Sequence, residues 1–167
     1  MLLAKGAVPN MLSNDLIELI LSALPGKTVG VIGDLFLDRY LDIDDSRTEP
    51  SIETGLDAYQ VVSVRSYPGA AGTVINNLVS LGISAIYAVT VIGDDGEGYE
   101  LQQALRRIPA LNTESVLIRK DIRTPTYTKP MLMKNGQPPR ELNRLDIKNG
   151  RSLNAAGDII HGINTVW

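Results

Sequence analysis

Apolar residues in the N-terminal part of the chain recur at helical spacing. They lie three and four positions apart at Leu16, Ile17, Ile20, Leu21 and Leu24. This spacing predicts an amphipathic helix, because one side of such a helix is apolar. Ser13 or Asn14 can cap its start, and Pro25-Gly26 marks its end. We therefore expect an N-terminal helical segment within residues 1–27.

Three apolar runs further along the chain are typical of buried strands. They read TVGVIGDLFL, ending as a strand at Gly33-Asp34, then SAIYAVTVIG and TESVLIR. Helical spacing follows in AAGTVINNLVSLG, which Gly82 ends as a C-terminal cap, and in DDGEGYELQQALRRI, whose acidic first turn suits the helix dipole. Strands that alternate with helices predict an α/β fold with a mainly parallel sheet and helices on its faces.

The stretch between the first strand and the first of these helices departs from that pattern. DRYLDIDD and AYQVVSVRSYPG alternate between polar and apolar positions around the exposed connection SRTEPSIETG. Alternation predicts half-buried strands, so residues 37–66 are expected to form a small separate sheet. TPTYTKPMLMK and RELNRLDI predict a hairpin, and SLNAAGDIIHGINTVW predicts a C-terminal helix weakened by two glycines.

Ligands of parallel α/β sheets bind beyond the carboxyl ends of the strands. This rule places four features on one rim: Asp34, Asp38, the small-residue turn 69–73 and the segment 93–96. The turn leaves backbone N–H groups free at a helix start, where a hydroxyl or an anion can accept from them. A tight packing turn would use the same small residues.

The two aspartates are the candidate ligand-binding carboxylates of this rim. A carboxylate can accept hydrogen bonds from two sugar hydroxyls at once. Solvated loop acids are the alternative interpretation of both, since aspartates are usually exposed.

The composition of the chain argues against several classes of function. The chain has 167 residues, 44% hydrophobic and 21% charged, with a net charge of −3. The charge and the lack of a basic tract argue against nucleic-acid binding. Because the chain has no cysteine and one histidine, it cannot contain a disulfide, a thiol nucleophile or a metal site with two histidines. We assign no metal ligands. No apolar run reaches membrane-spanning length, so we expect no membrane contact and a cytoplasmic location.

One motif match and one lone histidine are interpreted as having no catalytic role. PGKT at 25–28 resembles the end of a P-loop, but it follows a helix and opens a strand, and Leu21 stands where the first glycine is needed. His161 lies alone in a helical segment, where a surface or packing role is the commoner one.

Taken together, the motifs resemble the ribokinase-like (PfkB) family of carbohydrate kinases. The similarity is closest to the branch of heptose-phosphate kinases in ADP-heptose synthesis. It rests on VGVIGDLFLDRY, YPGAAGTVINNLVSLG, VTVIGDDGEGYELQQAL, RTPTYTKPMLM and RELNRLDI, which occur in the family's order between about residues 28 and 147. The resemblance implies a three-layer α/β/α sandwich with a small β lid formed by 37–66, which can also form a homodimer contact.

The resemblance also implies transfer of a phosphoryl group from ATP, with Mg²⁺, to a hydroxyl of a sugar or sugar phosphate. The residues that match substrate-binding positions, or depart from them, are Asp34, Asp38, Gly69, Ala70, Thr73, Asn77, Lys129 and Arg144. Two of them are departures. Ala70 replaces the second glycine of the family's Gly-Gly pair, and Thr73 replaces an asparagine that contacts sugar, so the substrate or its affinity is expected to differ.

The family carries its catalytic Gly-Ala-Gly-Asp turn and its nucleotide site in a C-terminal half. We expect residues 1–167 to be the N-terminal part of one kinase domain, inactive alone and binding neither ATP nor Mg²⁺. Ala155-Ala156-Gly157-Asp158 resembles that turn but comes too early, so Asp158 is interpreted as a coincidence. A non-catalytic sugar-binding or dimerisation module is the alternative, and the lack of a glycine-rich phosphate loop disfavours a nucleotide-binding regulatory domain.

Overall fold

The computed structural model describes residues 13–134 and 136–149. Its helices are α1 (Asn14–Ala23), α2 (Ala71–Ser80) and α3 (Gly96–Leu105). Its strands are β1 (Thr28–Ile32), β2 (Leu35–Asp44), β3 (Glu49–Pro50), β4 (Asp57–Ala58), β5 (Val61–Ala70), β6 (Ala85–Gly93), β7 (Leu111–Asn112), β8 (Val116–Arg119), β9 (Thr126–Met133), β10 (Arg140–Glu141) and β11 (Leu145–Ile147). The predicted C-terminal helix, with Asp158 and His161, lies outside the described residues.

A parallel sheet forms the centre of the molecule. β6 pairs in parallel with β1 on one side and with β7 and β8 on the other. Helices α2 and α3 pack against one face of this sheet. The buried core combines residues of both helices with the strands: Leu35, Leu37, Ile75, Ile83, Ile86, Ala88, Ile92, Leu101 and Leu105. The α/β class and the parallel sheet are confirmed.

A second sheet stands beside the first one. β2 runs antiparallel to β5 and parallel to β9, and the short strands β10 and β11 run antiparallel to β9. The alternating segments therefore pair with each other, as predicted, and the predicted hairpin forms. The parallel pairing of β9 with β2 was not predicted from the sequence, since it joins segments that are far apart in the chain.

The two faces of the second sheet differ in character because successive side chains of a strand point to opposite sides. Leu35 and Leu37 of β2 are buried in the core. The other side, here called the aromatic face, carries Phe36, Asp38, Tyr40 and Asp42 of β2, Arg65, Tyr67 and Gly69 of β5, and Tyr127 and Lys129 of β9. Rings and charges thus lie together on a surface that is only partly buried.

Helix α3 is tied to the buried side of the second sheet by hydrogen bonds to Glu100. The guanidinium of Arg39 on β2 and the hydroxyl of Ser66 on β5 both donate to this carboxylate. Burial opposes ionisation of Glu100, but these donors hold its pKa below the usual value. One carboxylate therefore joins β2 and β5 to the helix layer.

Of two predictions about the N-terminal part of the chain, one is confirmed and the other is wrong. Helix α1 forms as predicted, and its cap is Ser13, whose hydroxyl accepts from the amide of Leu16 at 3.2 Å. The prediction that β1 is a buried strand is wrong. Ile32 is 52% exposed, because β1 is the outermost strand of the parallel sheet among the described residues and has a neighbour only at β6. None of the residues of α1 is buried either.

Within the described ranges, no helix combines the length and apolar character needed to cross a membrane. The longest helices have ten residues, about half the length that spans a bilayer.

Candidate sugar-binding site

Asp38 and Lys129 form the charged centre of the aromatic face. Strands β2 and β9 run side by side, and the Lys129 ammonium donates to Asp38 Oδ1 at 2.6 Å and to the Tyr40 hydroxyl at 3.2 Å. Their side chains are 20% and 18% exposed. Burial disfavours the charged ammonium, but Asp38 and Tyr40 raise the pKa of Lys129 above its usual value. The contact with Asp38 therefore stabilises the charged form of Lys129.

Gly69 lies directly against this pair. A Cβ added at Gly69 would be 2.7 Å from Asp38 Oδ2 and would collide with the ring of Phe36. The absence of a side chain is therefore what allows the carboxylate and the ring to approach the backbone of β5. Asp38 and Gly69, the first residue of the small-residue turn, therefore lie on the same face of the second sheet, and Oδ2 is the carboxylate oxygen next to Gly69.

Ala70 has an unusual backbone conformation, with φ 49° and ψ −111°. Positive φ is readily adopted by glycine, and it strains a residue that carries a Cβ. The resembled family has glycine at this position, so Ala70 keeps the shape of the turn at a cost in strain. Helix α2 starts at the next residue, and the amide of Ala71 donates to the Asp34 carbonyl at 3.0 Å.

Part of the turn fits the packing interpretation. A Cβ at Gly72 would collide with Pro68 and would come within 3.3 Å of Leu35. Gly72 therefore packs the first turn of α2 on the second sheet. Gly69 contacts the candidate carboxylate, whereas Gly72 serves the strand-to-helix junction.

The structure places three further predicted site residues on helix α2 and beside strand β9. Thr73 and Asn77 are exposed on one side of α2, one helical turn apart. Arg144 pairs with Asp146 at 2.7 Å and lies 4.8 Å from the ring centre of Tyr127, the register neighbour of Asp38 on β9. The structure brings together Asp38, Gly69 and Lys129, with Arg144 at the edge of the same face.

The sequence interpretation missed the aromatic members of the face. Lys129 lies 4.7 Å and Arg65 5.0 Å from the ring centre of Tyr40. Phe36 meets Tyr127 edge to face, with 4.6 Å between ring centres. A signal was present in the alternation of β2, which places residues 36, 38 and 40 on one side, but their partners come from distant strands.

Asp95, on the predicted rim, has a structural role. Its carboxylate accepts from the amide of Gly98 at 2.7 Å and from the amide of Thr124 at 2.9 Å, and thereby caps α3. Burial opposes its ionisation, but these donors and Arg123 keep the pKa of Asp95 below the usual value. The carboxylate is thus committed to the junction between α3 and the start of β9.

A cluster of side chains suited to Mg²⁺ is not found in the part of the chain that the structure describes. Residues 13–134 and 136–149 contain no group of three or more acidic or histidine side chains that could hold a metal ion.

The parallel sheet with its attached second sheet defines an α/β protein of ribokinase-like fold. A carbohydrate kinase from Agrobacterium tumefaciens matches 72% of this chain with a TM-score of 0.51 at 20% identity, and the match covers 35% of that structure. A Clostridium perfringens protein assigned to the sugar kinases matches 83% of this chain with a TM-score of 0.53 at 14% identity, over 40% of that structure. At these identities the similarity shows the fold.

Sequence relatives carry the name bifunctional protein HldE. The chain is 30% identical over 128 residues to the HldE of Azorhizobium caulinodans and 33% identical over 128 residues to that of Syntrophotalea carbinolica, in each case over 77% of this chain. No family profile matches. The chain spans about a quarter of the length of these curated relatives. The predicted resemblance to ribokinase-like carbohydrate kinases, on the HldE side, is confirmed over this part.

Proposed function

We propose that this chain supplies the sugar-binding part of a PfkB-type carbohydrate kinase that acts in the cytoplasm. The whole enzyme would transfer the γ-phosphate of ATP to a hydroxyl of a sugar or sugar phosphate. ATP and Mg²⁺ would be bound by parts of the protein other than the described residues. A heptose phosphate is the first substrate to try, because the relatives are HldE proteins.

The observation that carries the proposal is the contact between Asp38 and Gly69. Oδ1 of Asp38 is occupied by Lys129, and Oδ2 lies against a backbone without a side chain. A carboxylate oxygen held beside rings and a small-residue turn is suited to accept from a sugar hydroxyl, and its ring neighbours offer apolar surface to the sugar's C–H groups. In this role Asp38 binds and orients the substrate.

The test is phosphate transfer by the full-length protein across a panel of sugars and sugar phosphates, with binding measured by calorimetry. Asp38→Asn should weaken binding of the preferred sugar by at least about tenfold, since a charge-assisted hydrogen bond contributes roughly 1.5–3 kcal/mol. Asp57→Asn is the matched control, because Asp57 is an exposed acid on β4. Unchanged binding in the Asp38 variant, with the fold intact by circular dichroism, would refute the assignment.

A non-catalytic sugar-binding or dimerisation module is the second candidate. The strain at Ala70 and the replacement at Thr73 favour it, because both alter positions that the resembled family uses near the sugar. Sugar binding without any phosphate transfer by the full-length protein would select this alternative.

We also propose a homodimer through the lid. β5 is the outermost strand of the second sheet, and Val61, Val62 and Val64 on it are 45%, 50% and 55% exposed. An open strand edge with apolar side chains is a template for pairing with another chain. Val64→Lys should shift the sedimentation of a dimer to that of a monomer, and a protein that sediments as a monomer before the change would exclude the proposal.

A further inference from the structure

A groove lies between the open edge of the second sheet and helix α3. Strand β5 is the outermost strand of that sheet among the described residues, and its residues 64–67 form one wall. The other wall is one stripe of α3 and the residues just after it: Gly96, Tyr99, Glu100, Gln103, Ala104 and Arg107. These positions are one, three or four residues apart and extend over about 16 Å of helix. The groove, here called the edge groove, has a volume of about 560 Å³.

The backbone of β5 presents hydrogen-bonding groups to the edge groove. Residues of an antiparallel pair alternate between positions that bond the partner strand and positions whose N–H and C=O point away from it. Leu37 lies opposite Pro68, and its amide donates to the Pro125 carbonyl at 2.9 Å rather than to β5. The same phase recurs two and four residues earlier on β5, at Ser66 and Val64. The N–H and C=O groups of these two residues therefore point toward the open edge.

The charged groups of the edge groove leave one cation available. The carboxylate of Glu100 already accepts from the two donors described above, and Arg65 pairs with Asp42 at 2.8 Å. Arg107 is exposed and pairs with none of the carboxylates that the structure describes. An acidic partner would therefore complement the charge of this groove.

The edge groove also offers apolar surface on both of its walls. Tyr99 on α3 is 66% exposed, and Val64 and Tyr67 on β5 are 55% and 48% exposed. Side chains of a bound extended chain point alternately to opposite sides, so one set of them would contact these rings and the valine.

We propose that the edge groove binds an extended acidic peptide segment of another protein as an added strand beside β5. The backbone of the segment would pair with Val64 and Ser66, and a carboxylate of the segment would pair with Arg107. Addition of a strand to an open sheet edge is a common mode of peptide recognition. An extended segment of five residues is about 17 Å long, which matches the length of the helix stripe.

The sequence of β5 argues against a second copy of the chain in this groove. VVSVRSY at 61–67 contains a cation and no carboxylate, so a second β5 would not complement Arg107. The homodimer proposed above would use the outer valines of β5. The two occupants would meet at Val64, and the edge groove is available to a peptide in the monomer.

The test measures binding of short peptides to the full-length protein by fluorescence anisotropy. The probe is EVTVE with an N-terminal fluorescein and a C-terminal amide, which we expect to bind with a micromolar dissociation constant. QVTVQ should bind at least about threefold more weakly, because it lacks the charge that pairs with Arg107. EVPPE should not bind, because two adjacent prolines remove a backbone donor in either phase of pairing.

Arg107→Gln tests the cation. This change should weaken binding of EVTVE at least about threefold and leave binding of QVTVQ unchanged. Arg106→Gln is the matched control, because Arg106 is an equally charged, exposed neighbour that does not line the groove, and it should change neither affinity. Equal effects of the two substitutions would overturn the inference. Absence of EVTVE binding at about 1 mM, or equal binding of EVPPE, would overturn it as well.

Val64→Pro tests the strand edge. Its amide points to the groove, so proline should remove the bond to the peptide while the pairing with β2 is kept. Binding of both EVTVE and QVTVQ should be lost with the fold intact by circular dichroism, and retained binding would refute strand addition. If this variant unfolds, the comparison of EVTVE with EVPPE decides, since it leaves the protein unchanged. A protein that sediments as a dimer and does not bind EVTVE would assign the edge to a second copy and would also overturn the inference.

Discussion

Asp38 and Lys129 are 91 residues apart in the chain, yet the Lys129 ammonium lies 2.6 Å from Asp38 Oδ1. The pair joins neighbouring strands of the second sheet and fixes one oxygen of the carboxylate that faces Gly69. The fold therefore fixes the orientation of this carboxylate before any ligand is present, which would lower the ordering cost of the proposed sugar binding.

Removing the ammonium tests how strongly this pair supports the sheet. Lys129→Met keeps the length of the side chain but leaves a partly buried carboxylate without its partner. We expect a loss of about 1–2 kcal/mol in the free energy of unfolding by urea, since an unpaired polar group retains its desolvation cost. Lys134→Met is the control, because its pair with Asp45 is about half exposed and should contribute less than about 0.5 kcal/mol. Equal losses would contradict a special role for Lys129.

Ala70→Gly should stabilise the protein. Glycine removes the strain of a positive φ, which costs roughly 1–3 kcal/mol. Part of this gain is lost, because glycine also makes the unfolded chain more flexible. The expected net gain is about 1 kcal/mol in urea unfolding. Ala71→Gly is a control of opposite sign, because Ala71 is the first residue of α2 and has no positive φ. A loss of stability in Ala70→Gly would show that this backbone conformation is not adopted.

Gly69→Ala should damage both the sheet and the site. The new methyl group would overlap the ring of Phe36 and lie 2.7 Å from Asp38 Oδ2. Overpacking of this kind costs typically 1–3 kcal/mol, and we expect a lower melting temperature together with weaker sugar binding. Gly96→Ala at the start of α3 meets nothing within 4 Å and should leave both unchanged. A tolerated Gly69→Ala would rule out the close approach.

The ion pair between Asp42 and Arg65 predicts a dependence of stability on pH. The guanidinium donates to both carboxylate oxygens at 2.9 and 2.8 Å, and it lowers the pKa of Asp42 below the usual value. A folded-state pKa below the unfolded one adds stability above about pH 4, which is lost as the pH falls through the folded pKa. Arg65→Gln should therefore be less stable at pH 7, with the difference from the parent chain shrinking below pH 4.

Arg47→Gln is the matched control for this pH series. Arg47 pairs with Asp44 at 3.0 Å, but its side chain is 67% exposed, so its removal should change little at any pH. Urea unfolding at several pH values provides the measurement. A difference between Arg65→Gln and the parent chain that stays constant down to pH 2.5 would exclude the ion pair as its cause.

Local patterns in the sequence were sufficient to predict most of the elements. Helical spacing located α1, α2 and α3, and Gly82, with φ 90°, follows the end of α2 as predicted. These signals are local, because caps and periodicity depend on residues a few positions apart. The burial of a strand, by contrast, depends on segments that are far away in the sequence. β1 is apolar and was predicted to be buried, but its exposure is decided by which strand stands next to it.

The site was predictable only in part for the same reason. The rule for ligand sites in parallel sheets placed Asp38 and the turn that contains Gly69 on one rim, and the structure shows that the two residues are in contact. Tyr40 and Tyr127 were missed because their shared face depends on the parallel pairing of β2 with β9. The strain at Ala70 had one signal, the glycine that the resembled family has there. The sugar-binding roles of all these residues stay predictions.

Glu100 anchors the base of the hairpin formed by β2 and β5, which is the segment proposed to act as a lid. Because Glu100 accepts hydrogen bonds from Arg39 and Ser66, it joins the base of this hairpin to helix α3, and we expect that base to be held against the helix layer. The register of the hairpin shifts only further out, between Asp42 and Ile43. Opening and closing over a bound sugar would then be a flexing of the outer residues 43–61 about that irregular point, while Asp38, on the fastened side, keeps its position throughout.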